Sequence, residues 1–87
     1  MDFSDVVALK IKELMEQQDV TTYKLQDLTG VYSSTITMFL TRQTKTIRLE
    51  NLLYICEGLG TTLSEFFADE RFKNAEAKDW LKKKKEK

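Results

Sequence analysis

An all-α fold is predicted by three features of this sequence. Pro is absent and Gly occurs only three times, a composition that suits helices better than turn-rich β structure. Apolar residues recur at spacings of three and four, the period of a helix buried along one side. The runs they form are bounded by residues that start or stop helices.

The first run places Val7, Ile11, Leu14 and Met15 on one face. Ser4 can cap it, and Asp19 and Val20 end it after roughly Gln18. Thr21 is a good N-cap for a second helix with Leu25 and Leu28 inward. Gly30 can close that helix in the left-handed conformation. A third helix begins at Tyr32 or Ser33 and ends around Thr41. Its inward side is Ile36, Phe39 and Leu40, and its outward side is Ser33, Ser34, Thr37 and Met38. Arg42 to Ile47 is polar, rich in Thr and free of acids, and reads as a loop.

The fourth helix carries a broad stripe of Leu49, Leu52, Leu53, Ile55, Cys56 and Leu59, stopped by Gly58 and Gly60. Thr62, or else Ser64, caps a short fifth helix with Leu63, Phe66 and Phe67 inward. After Asp69 the chain becomes highly charged. The organisation expected is a five-helix domain over 1–69 and a charged, helix-prone C-terminal extension over 70–87. Phe72 could staple that extension to the domain, and Lys82 to Lys87 are expected to be mobile.

Eighty-seven residues allow one small core. A single cysteine and no His exclude an internal disulfide and leave zinc almost no ligand set. No metal site, cofactor or small-molecule ligand is expected. An enzyme is the poorest reading, because no nucleophile–base set and no phosphate-cradling glycine loop is present. The start, MDFSDVV, lacks the regions of a signal peptide, and no apolar run approaches membrane length. A cytoplasmic, non-membrane protein is the expectation.

Acidic and basic residues balance at 14 each, so overall charge gives no support for a polyanionic partner. Their distribution does. No Asp or Glu falls between Asp27 and Glu50, whereas Arg42, Lys45 and Arg48 lie inside that window. The same window overlaps two short helical runs, Thr21 to Thr41, joined by a turn too tight for an antiparallel hairpin. That arrangement is a helix-turn-helix, whose second helix enters the major groove of DNA.

From Lys10 to Phe67, about two thirds of the chain, the sequence resembles the Cro/repressor-type (Xre-like) helix-turn-helix domains. IKELMEQQDV, TTYKLQDLTGV, STITMFL and LENLLYICEGLGTTLSEFF follow the family pattern in order. The resemblance implies a lambda-repressor-like five-helix fold. The sequence departs from it in three respects. Gln26 stands where the family favours Ala at the helix crossing, so its side chain must snorkel outward or open the crossing. Thr22 replaces a phosphate-gripping Gln with a shorter reach. Met15 and Leu40 stand where many members pair Arg with Glu, a joint change to apolar packing that is often neutral or stabilising.

The resemblance implies that Ser33, Ser34, Thr37 and Met38 face base edges. Thr22, Tyr23, Arg42, Gln43, Lys45 and Arg48 would contact phosphates, with Thr21 and Lys24 as further candidates. The plainer readings are a solvated helix start for the serines, a solvated loop for the cations and a simple cap for Thr21. The helix face lacks the Arg, Lys, Asn and Gln that make bidentate base contacts, so readout should be weak or thymine-rich, with DNA shape contributing. Cys56 reads as a packed core thiol. Phe67, Phe72 and Trp80 are candidates for dimer contact, with domain packing as the alternative. The function expected is a DNA-binding transcriptional regulator, a repressor acting as a homodimer on a two-fold operator. The competing class is a protein-interaction or antitoxin-like module on the same fold.

Overall fold

Asp2, not Ser4, stands at the head of the first helix in the computed structural model, which describes residues 2–75. Helix α1 spans Phe3–Gln18. The Ser4 hydroxyl donates to Asp2 Oδ2 at 3.2 Å, so neither side chain caps an amide. At the other end Asp19 adopts the left-handed conformation, φ 55°. Its amide returns to the Glu16 carbonyl and that of Val20 to Met15, the paired bonds that close a helix C-terminus.

Helices α2 (Thr22–Thr29), α3 (Ser33–Leu40), α4 (Leu49–Gly58) and α5 (Leu63–Phe67) follow, then a 3-10 turn over Glu70–Asn74. The fold is all-α. The core joins Val7, Ile11 and Met15 of α1 to Leu25, Ile36, Phe39, Leu40, Leu52, Ile55, Cys56, Leu59 and Phe66. Met15 and Leu40 are both buried in it, so the site of a possible ion pair is filled by hydrocarbon. Among the described residues, no helix is long and apolar enough to cross a membrane.

Three expected core leucines lie outside. Leu28 is 48% exposed, Leu49 69% and Leu53 38%. Gly58 shows how closely α2 and α4 approach. A Cβ there would fall 2.5 Å from Thr29 Cγ2, 3.4 Å from Leu28 Cβ and 3.5 Å from Leu25 Cδ1, so the α2 side chains pack directly on this α4 glycine. Gly58 is therefore the last helical residue and a close-approach position, while Gly60, φ 73°, makes the actual stop.

Thr62 caps α5 as expected, and reciprocally: its hydroxyl accepts from the Glu65 amide at 3.0 Å while Glu65 Oε1 accepts from the Thr62 amide at 3.2 Å. Beyond α5, Phe72 packs into an aromatic cluster. Its ring centroid lies 5.6 Å from Phe3, 5.8 Å from Phe66 and 5.0 Å from Phe67. Phe67 and Phe72, considered above for dimer contact, are thus engaged within their own domain. Trp80 and the lysine run lie outside the described residues.

An ion network fastens the same segment to α1. Arg71 Nη1 donates to Glu13 Oε2 at 2.9 Å, and Arg71 Nε to Asp69 Oδ1 at 3.0 Å. Lys10 Nζ adds a bond to Asp69 Oδ2 at 3.0 Å. The Arg71 guanidinium holds the Asp69 carboxyl well below the usual carboxylate range, helped by the Arg71 amide and by Lys10. Hydrogen bonding from Arg71 also lowers Glu13. With both values depressed in the folded state, the unfolded chain binds more protons in acid. This contribution to stability is complete above the ordinary values of 4.5 and 3.8 and drains away as pH falls below them. Thermal melts taken from about pH 6 to about pH 2 should therefore show a falling Tm, with a shallower fall in Arg71→Ala.

Candidate nucleic-acid interface

In the α2–α3 turn the amides of Gly30, Val31 and Ser33 each have an acceptor, which stiffens the turn. Thr21 Oγ1 accepts from the Lys24 amide at 3.1 Å and starts α2. Gly30, φ 79°, ends it with its amide on the Gln26 carbonyl at 2.8 Å. The Thr29 hydroxyl donates to the Leu25 carbonyl at 2.7 Å and accepts from the Val31 amide at 3.1 Å. Gln26 then completes the corner, its Oε1 accepting from the Ser33 amide at 2.6 Å. The long side chain at this crossing is half-buried and turns to α3, where it caps the first amide.

That corner fixes the direction of α3. Ile36, Phe39 and Leu40 face the core, while Ser34, Thr37 and Met38 are exposed. Ser33 is half-buried beside Gln26. The exposed ridge carries hydroxyls, a thioether and no charge. Thr35 is also exposed, and with Met38, Thr44, Thr46, Arg48 and Asn51 it lines a shallow cleft of about 260 Å³. This cleft links the ridge to the following loop. Thr35, Thr44, Thr46 and Asn51 had no distinguishing signal in sequence beyond the density of Thr in TRQTKTI. Tyr32, 73% exposed at the head of α3, was likewise passed over, because a tyrosine at an N-cap position offers no local role.

The proposed phosphate ligands divide into two groups. Tyr23, Gln43, Lys45 and Arg48 are exposed. Among the described residues Lys45 has no carboxylate partner within ion-pair distance, and Arg48 has only a loose one, 4.0 Å from Glu50 with both side chains in solvent. Gln43 Nε2 donates to Thr41 Oγ1 at 3.2 Å, and Thr22 is half-buried at the head of α2. Arg42 behaves differently: its guanidinium turns back onto α1 and bonds Asp5 Oδ1 at 2.9 Å. Cys56 is fully buried, and burial pushes its thiol up to about 11, a packed group with no part in this surface.

The arrangement presents an uncharged ridge about two helical turns long, flanked by outward cations on a loop without acids. Such a ridge fits a groove whose walls are phosphates. Residues 10–71 match the family model of the Cro/C1-type HTH DNA-binding domain. No curated protein and no solved structure gives a significant match.

Proposed function

This chain belongs to the Cro/C1-type helix-turn-helix DNA-binding domains, and from that premise we propose that it is a sequence-specific transcriptional regulator, a repressor that binds a two-fold operator as a homodimer. The observation that supports this reading is the exposed α3 ridge beside the outward Lys45 and Arg48. Ser34, Thr37 and Met38 meet base edges. Hydroxyls accept several partners and the Thr and Met methyl groups suit thymine, so the operator is read loosely and its deformability contributes. Lys45, Arg48 and Gln43 hold the backbone on one flank, and Tyr23 and the amides at the head of α2 hold it on the other. Pairing of two copies uses the exposed Phe3 and Leu49, which line an apolar cleft of about 220 Å³ together with Phe67 and Ile47.

Selection of bound sites from random DNA at two salt concentrations tests the reading directly. A two-fold consensus with half-sites about one helical turn apart is expected. Affinity should fall steeply with salt, and Lys45→Ala and Arg48→Ala should each flatten the log–log slope by about 0.9 while weakening all sequences alike. Salt-insensitive binding, or none, defeats the proposal. The neutral net charge and the absence of bidentate side chains on α3 favour a second reading, a protein-interaction module. A stoichiometric protein partner together with undetectable DNA binding would establish it instead.

A further inference from the structure

We propose that Arg42 is a positioning residue for DNA binding and not a phosphate ligand: it braces the loop after α3 against the first turn of α1. Arg42 occupies the point where the chain leaves α3. Its backbone is left-handed, φ 65°, with its amide on the Phe39 carbonyl at 3.1 Å and the Gln43 amide on Met38 at 2.8 Å. This is the paired closure seen at Asp19, adopted here by a residue type with no intrinsic preference for that region. The side chain supplies what the backbone type does not.

The guanidinium is occupied on several sides. Nε donates to Asp5 Oδ1 at 2.9 Å, Nη2 to Ser4 Oγ at 2.7 Å and Nη1 to the Phe39 carbonyl at 3.2 Å. Nη2 also reaches within 3.5 Å of the Lys45 carbonyl, and the group stacks 4.9 Å over the Phe39 ring. Only 23% of the side chain is exposed. Four of its five N–H donors are directed at Asp5, Ser4, Phe39 and Lys45, which leaves little of the group for a phosphate. The planar fork is instead arranged to tie three chain segments together: α1, the end of α3 and the carbonyl of Lys45. That tie holds the loop that carries Lys45 in one conformation before DNA arrives, so losing it adds an ordering cost to binding and removes no phosphate contact. Asp5, 37 residues away in sequence, thereby becomes part of the DNA-binding apparatus without touching DNA.

The inference rests on the DNA-binding reading above, and salt titrations separate the two. On a selected operator, Lys45→Ala should flatten the slope by about 0.9, the signature of a lost phosphate contact. Arg42→Ala should weaken binding about tenfold or more at every salt concentration with the slope of the wild type. Asp5→Ala should do the same, and the double variant should be no weaker than the poorer single one, because both remove one brace. Arg42→Lys should not rescue, since a point charge cannot reproduce the fork. A slope flattened by Arg42→Ala, or binding tightened and slope steepened by Asp5→Ala, would overturn the proposal. If Arg42→Ala does not fold, Asp5→Asn carries the same two readings. Should wild-type binding be absent, or Lys45→Ala leave the slope unchanged, the DNA reading itself fails. In that case a thermal cycle of Asp5 and Arg42 variants without DNA still reports whether the brace exists.

Discussion

Thr37→Glu will fold like the wild type and lose DNA binding. Thr37 projects from the middle of the exposed α3 ridge, and its carbonyl bonds within the helix end are made by the backbone, which the substitution retains. Glu is a better helix former than Thr, so the helix should not suffer. On the duplex the outcome reverses. A carboxylate a few ångströms from phosphates in a medium of effective dielectric near 20 costs about 4 kcal/mol, some three orders of magnitude in affinity. That approaches the whole margin by which such proteins prefer specific to non-specific sites. Fluorescence anisotropy on a selected operator, with circular dichroism as the control for folding, measures it. Retention of binding within about threefold would move the interface away from α3.

Phe66→Ala should cost about 3–5 kcal/mol, the range for emptying a buried aromatic site. A domain of this size holds only about 0.05–0.15 kcal/mol per residue, so much of its stability goes. Phe66 is 1% exposed and touches rings on two sides, Phe67 at 5.2 Å and Phe72 at 5.8 Å. It joins α5 and the 3-10 turn to the core, and the cavity cannot close without moving both. Tm should fall by roughly 15 °C or more. Phe67→Ala, at a half-buried ring, should cost clearly less. A melt in which the two variants are equal, and in which Tm rises with protein concentration only in the wild type, would place Phe67 in an interface between copies.

The parts of this fold legible in sequence are those set by local chemistry. Thr21 and Thr62 cap because a hydroxyl three residues before an amide can reach it. Gly30 turns because no Cβ opposes the left-handed region. Val7, Ile11, Met15, Ile36, Phe39 and Leu40 were placed by period alone, and all are buried. What stayed hidden depends on distances between elements. Periodicity gives the direction of a stripe and not where the neighbouring helix ends. Leu28 and Leu49 therefore lie on the right side of their helices and beyond the edge of the packing. Gly58 reads locally as a terminator, and only the Thr29 methyl packed against it reveals a close-approach position. Gln26 could be foreseen as a long side chain at a close crossing, but not as the acceptor for the Ser33 amide. The bonds of Arg42 to Asp5 and Ser4 span 37 and 38 residues, and no local pattern announces them. The candidate interface was readable as a face and a basic window; which cation points outward was not.

Cys56 has a practical corollary. The chain holds one sulfhydryl, enclosed by Leu, Ile and Phe side chains and with the anion that alkylating reagents need suppressed by burial. A second cysteine introduced on the outside, for instance Gln43→Cys, would consequently be the only position that a maleimide dye modifies in the native protein. The molecule comes with its background chemistry already silenced, and a single reporter can be mounted at chosen points around the ridge without first replacing a native residue.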